Sequence, residues 1–209
     1  LMALPSNKLI TINDRGARAA TTFGSVSAGG ANMVFIKKLT ASSSGTLSFV
    51  DGTDGVVLDD TYKEYYFTFN NMHPATDNVN FSFQADTGTN TSYNQTITST
   101  YFEAYHYEND SQTALGYNTD KDLAQSTSFQ MLGRRVGNDN DQQISGSLKI
   151  FNPSSSVFVK HFMAVMEEAH YGDLPFNNYI AGYFNTTTAL TRFQFKMSSG
   201  NIDAGDICL

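Results

Sequence analysis

Cysteine is almost missing from this chain: Cys208 stands alone. One thiol can form no disulfide within the chain and cannot build a four-cysteine zinc site, so a stapled secreted scaffold and dithiol redox chemistry are both excluded. Tryptophan is absent altogether, and only four prolines interrupt the backbone. No apolar run reaches the 18 or so residues that would read as a membrane-spanning helix. The opening "LMALPSNKLI" has neither a basic start nor an apolar centre, so no signal peptide and no membrane insertion are expected. Charge is sparse too, at 16% of residues, with a net charge of −7. The basic residues occur as pairs, Lys37-Lys38 and Arg134-Arg135, with no stripe among them. An acidic chain without such a stripe repels phosphate backbones, so nucleic acid is not an expected partner.

Catalytic signatures are missing as well. There is no Gly-x-Ser-x-Gly elbow, no phosphate-binding Gly-x-x-x-x-Gly-Lys-Ser/Thr loop and no His-Glu-x-x-His pair. Cys208 lies on an apolar segment, where a free cysteine acts as a small hydrophobe. The four histidines, His73, His106, His161 and His170, lack metal-ligand spacing; His161 reads as a packed or subunit-interface residue. Twenty acids always offer carboxylate pairs, but no spacing places two of them across a cleft. The expectation is a protein that is not an enzyme. Calcium is the metal that the sequence fits best, through Asp139 and Asp141 in "GNDNDQ", with Asp51 and Asp54 in "DGTDG". These supply hard oxygen ligands without EF-hand spacing, and the same residues are ordinary turn formers, so no cofactor is expected.

What the chain does have is aromatic and small polar residues. Sixteen Phe and eleven Tyr accompany many Ser, Thr, Asn and Gly. Residues 1–33 are small and polar, and their one strand candidate is "KLITI". They read as an extended N-terminal attachment arm. From Val34 the pattern turns to period two. Tyr65, Phe67 and Phe69 share a face, as do Val79, Phe81, Phe83 and Ala85. So do Ile144, Leu148 and Ile150, and likewise Phe193, Phe195 and Met197. Strict alternation marks antiparallel strands with one face on a core. Clusters such as "VDGTDG", "MHPATDN" and "NPSSS" supply the turns between them.

"VFVKHFMAVMEEAH", residues 157–170, fits either period, and its β-branched start favours a strand. Nine or ten strands follow residue 33, with uneven connections that include a long one over 107–127. The expectation is an all-β, antiparallel β-sandwich or jelly roll over 34–209. "DICL" at 206–209 is expected to pair inside that sheet.

Four phrases carry a resemblance: "VFIKKLTASSSGTLSFVDG", "TYKEYYFTFNNMHPATDNVNFSFQ", "GNDNDQQISGSLKIFNPSSS" and "SSGNIDAGDICL". Together they resemble jelly-roll-like virion structural proteins of tailed bacteriophages of marine and cyanobacterial type. The resemblance covers about residues 34–209. It implies a non-enzymatic structural protein displayed on the virion surface, assembled in the host bacterial cytoplasm. A tail-fibre or host-attachment component ranks first and a capsid decoration protein second. A carbohydrate-binding module is the alternative from another class, given the many tyrosines. The expected partners are other virion proteins, reached through the arm, further copies in a homotrimer or other closed oligomer, and a host surface glycan. Loops 72–78, 86–94, 108–126 and 171–178 are the expected recognition end. Tyr117, Asn118, Tyr171 and Asn177 are the candidate receptor contacts, with Tyr to stack and Asn to pair donors and acceptors.

Overall fold

The computed structural model describes residues 33–209, and the proposed arm lies outside them, apart from Met33. Residues Phe35–Leu209 form one compact unit. The alternating segments become strands wherever the pattern placed them. In chain order they are β1 (Lys38–Thr40), β2 (Leu47–Val50), β3 (Glu64–Pro74), β4 (Val79–Thr87), β5 (Ile97–His106) and β6 (Thr113–Tyr117). There follow β7 (Gln130–Val136), β8 (Ile144–Phe151), β9 (Lys160–His170), β10 (Leu174–Phe184), β11 (Leu190–Met197) and β12 (Ile202–Cys208).

Every pairing is antiparallel. Early strands pair with late ones: β1 with β12, β2 with β11, β5 with β10. Such nesting is what a rolled-up ribbon produces, as in a jelly roll. The larger limb runs β1-β12-β3-β8-β9-β10-β5-β6, and the smaller runs β2-β11-β4-β7. A single pairing, Val136 with His170, joins β7 to β9, so the two limbs form one nearly closed sheet. Residues 206–208 of "DICL" do pair, with β3 on one side and β1 on the other.

The inward faces are the predicted ones. Phe67, Phe81 and Phe195 are fully buried, as are Ile144, Leu148, Ile150 and Phe193. Phe195 of β11 meets Phe49, Phe67 and Phe69 edge-on and lies parallel to Phe81 and Phe83. Phe83 in turn meets Phe162 of β9 at 5.2 Å. Burial of each ring removes its apolar surface from water, and the edge-to-face geometry adds about 0.5–1.5 kcal/mol per pair.

Three readings change in detail. The 107–127 connection contains a strand, β6, which pairs with β5; its "TALGY" has no inward face, so no alternation betrayed it. Segment 157–170 is strand from Lys160, as the β-branched reading favoured, but its Met163 and Val165 face outward. Its inward face carries Lys160, Phe162, Ala164, Met166, Glu168 and His170. His161 lies on the outer face, exposed, with its ring 6.0 Å from Tyr183. Gly146 of β8 shows why glycine interrupts that strand's apolar series. Its φ is +152°, and a Cβ there would lie 2.4 Å from the Val165 carbonyl oxygen.

Substituting Phe67, Phe81 or Phe195 with Ala should each cost about 3–5 kcal/mol, read as a lower urea midpoint with an unchanged slope. A loss below about 1 kcal/mol at all three sites would show that the two limbs are not held together through these rings.

Candidate interaction surface

At its far end β9 passes from pairing with β8 to pairing with β7, and its inward face turns polar there. Glu168 is 1% exposed, and its Oε2 accepts the Arg134 backbone N–H at 2.8 Å. The Arg134 guanidinium donates to Glu103 Oε1 at 2.9 Å and lies over the Phe176 ring. Tyr101 donates its hydroxyl hydrogen to Asn178 Oδ1 at 2.8 Å. Burial pushes the Glu168 carboxyl well above the usual carboxylate range, against the opposing pull of Arg134. Burial also lowers His170 to about 4, helped by the positive charges of Arg134 and Arg135. His170 Nδ1 accepts the Gly172 backbone N–H at 3.1 Å, so the neutral ring carries its proton on Nε2. This network fixes the junction of the two limbs.

Beside it lies an acidic cavity of about 620 Å³, lined by Glu108, Asp110, Asp141, Glu167 and Asp173 with His106. Asp139, the other calcium candidate, accepts the Gln142 backbone N–H through its main-chain oxygen, as a turn residue does. Among the described residues no group of three or more His, Cys, Asp or Glu side chains is placed to hold a metal ion.

The four receptor candidates do not converge. Tyr117 ends β6 on the outer face, and its hydroxyl donates to Asp122. Asn118 turns the other way, with Nδ2 donating to Glu103 Oε1 at 3.1 Å. Asn177 belongs to β10, not to a loop; it shares the outer face with Tyr117 and donates to Glu167 Oε2 at 3.3 Å. Tyr171 sits in the β9–β10 turn, its ring 4.6 Å from His170. Three of the four side chains are therefore engaged with neighbouring acids.

An exposed apolar row on the same limb includes one of these four residues, Tyr117. Val165 of β9, Tyr179 of β10, Phe102 of β5 and Tyr117 of β6 stand directly opposite one another across the strands. Met163 and Leu115 flank this row, at 57% and 74% exposure. Phe102 and Tyr179 stack face to face at 4.9 Å, 5° from parallel. Each ring thus covers one face of the other, which leaves no broad flat platform for a sugar at this pair. Contiguous apolar rows outside a core are the chemistry that interaction surfaces carry. The alternation rule passed over it because each strand gives it only one or two residues. The available signal was that "VKHFMAVM" is apolar in both registers, so that one apolar set had to face out.

No protein-family model, curated protein or solved structure matches the chain.

The buried ionisable pair makes stability depend on pH in two windows. Glu168 is held neutral by the fold, so its contribution is complete below about pH 4.5 and is lost as pH rises toward its raised value. His170 is also held neutral, so its contribution is complete above about pH 6.5 and is lost as pH falls toward 4. Glu168→Gln should therefore gain melting temperature over the wild type increasingly as pH rises above about 5. His170→Gln should flatten the loss between pH 6.5 and 4. A pH-independent offset in both variants would refute this account.

Proposed function

We propose that this protein is a non-enzymatic structural component displayed on the surface of a tailed bacteriophage particle. The outer-face row of Met163, Val165, Tyr179, Phe102, Tyr117 and Leu115 carries the reading. A rigid antiparallel sandwich with such a row on one limb suits a module whose neighbours in an assembly cover it. The resemblance of its phrases to phage virion proteins supports the same reading, as does the small, polar composition of residues 1–33. On this reading the protein assembles as a homotrimer or other closed oligomer.

Within that class, a tail-fibre or host-attachment role rests on the aromatic and Asn-rich end of the molecule, whose receptor would be a surface glycan. One observation favours the second role, capsid decoration: Tyr117, Asn118 and Asn177 spend their polar atoms on Asp122, Glu103 and Glu167. Side chains committed to their own domain have fewer groups left for a receptor.

Imaging of particles labelled with an antibody to residues 34–209 should mark the particle surface, and the absence of label would refute the proposal. Label at the tail tip, with host adsorption lost when Tyr117, Asn118, Tyr171 and Asn177 are all changed to Ala, supports attachment. Label on the head with adsorption kept supports decoration. Deletion of residues 1–33 should abolish incorporation while leaving thermal unfolding nearly unchanged.

A further inference from the structure

β6 closes one end of the larger limb, and among the described residues its far side pairs with nothing. The ladder with β5 fixes which of its groups are free. Asn118 N–H donates to the Tyr101 carbonyl and Tyr107 N–H to the Gln112 carbonyl. In this register Gln112, Ala114, Gly116 and Asn118 bond to β5, while the N–H and C=O groups of Thr113, Leu115 and Tyr117 point outward. All five residues of β6 are exposed. The strand carries no Lys, Pro or bulge of the sort that protects sheet edges from adding strands. It is therefore open to strand addition.

Charge selects what can be added. Glu108 and Asp110 precede β6; Asp120 and Asp122 follow it, with Lys121 between them, so both ends are net acidic. Pairing of β6 with β6 of a second copy, centred on Leu115, would set these two acidic ends against each other. A basic strand meets no such repulsion. Residues 1–33 carry Lys8, Arg15 and Arg18 against Asp14, a net charge of +2, whereas the chain as a whole is at −7. This segment also contains the apolar residues Leu9, Ile10 and Ile12.

We propose that the open edge of β6 accepts residues Lys8–Ile12 of a second copy of this chain as an added antiparallel strand. The inference rests on the reading of residues 1–33 as an attachment arm and names its receiving site. With Ile10 opposite Leu115, Lys8 falls beside Tyr117 and near Asp120 and Asp122. Arg15 and Arg18 then run toward Asp110 and Glu108. Lys8, Ile10 and Ile12 lie on the outer face, so the two isoleucines extend the apolar row past Leu115, the most exposed member of that row. Main-chain hydrogen bonds supply affinity, and the apolar and charged side chains supply register.

The single native cysteine allows a clean test on the full chain. In a Cys208→Ser background, chains carrying Ile10→Cys are mixed with chains carrying Leu115→Cys and treated with a short thiol-specific cross-linker. The expected product is a covalent heterodimer on a denaturing gel, formed at least ~tenfold more efficiently than with Thr40→Cys on the opposite edge strand β1. The triple change Lys8→Glu, Arg15→Glu, Arg18→Glu alters no residue of Phe35–Leu209 and should reduce both this product and the oligomer mass seen by light scattering. Leu115→Pro should do the same, because the N–H it removes is not bonded to β5. Equal yield at Thr40→Cys, or indifference to both changes, would overturn the proposal. So would a chain carrying Ile10→Cys and Leu115→Cys together that links only within itself, because the arm would then fold onto its own domain. All readouts use purified protein, so failure here is separate from failure to find the protein on particles.

Discussion

Phe195 ties the two limbs of the sheet together, and most of the architecture depends on that contact. From the middle of β11 it touches rings of β2, β3 and β4, and through Phe83 the same packing reaches β9 and β10. A sheet can bring rings from such distant segments together only if each strand presents every second residue inward. One-residue slips would expose them, so the register of β3, β4 and β11 is fixed by the hydrophobic effect before any turn is considered. The nested pairing of early with late strands follows, because the rings to be joined lie more than a hundred residues apart in the chain.

The limits of that core shape the rest. Where β9 leaves the aromatic centre, its inward face changes from Met166 to Glu168 and His170, and the sheet changes partners from β8 to β7. A buried acid and a buried imidazole are tolerated there because each is held neutral and each accepts a backbone N–H. The Arg134–Glu103 pair, stacked against Phe176, closes the polar end without an apolar plug. Polar burial thus marks the seam of the barrel-like sheet, and the acidic cavity lies beside this seam.

The outer face of β9, β10, β5 and β6 has no core to account for its apolar residues. Val165, Tyr179, Phe102 and Tyr117 line up across four strands because antiparallel register sets them opposite one another. An aligned row presents far more contiguous apolar surface than the same residues would if scattered. It runs to the edge strand β6, whose outward backbone groups are unpaired among the described residues. Apolar contact and hydrogen bonding are therefore available to a neighbour at the same place.

The sequence alone determined the class of fold and most of the inward residues. Period-two runs such as Tyr65-Phe67-Phe69 and Val79-Phe81-Phe83-Ala85 have one physical solution, a half-buried antiparallel strand. It did not determine β6, whose five residues are all exposed and whose identity as a strand comes only from pairing with β5. Nor did it reveal that Asn118 would turn toward Glu103, or that Asn177 would lie within β10 and bond to Glu167. Alternation is local and survives in a linear reading. Pairing partners, the direction of a polar side chain and the alignment of an outer row are set by residues distant in the chain, so only the tertiary structure decided them.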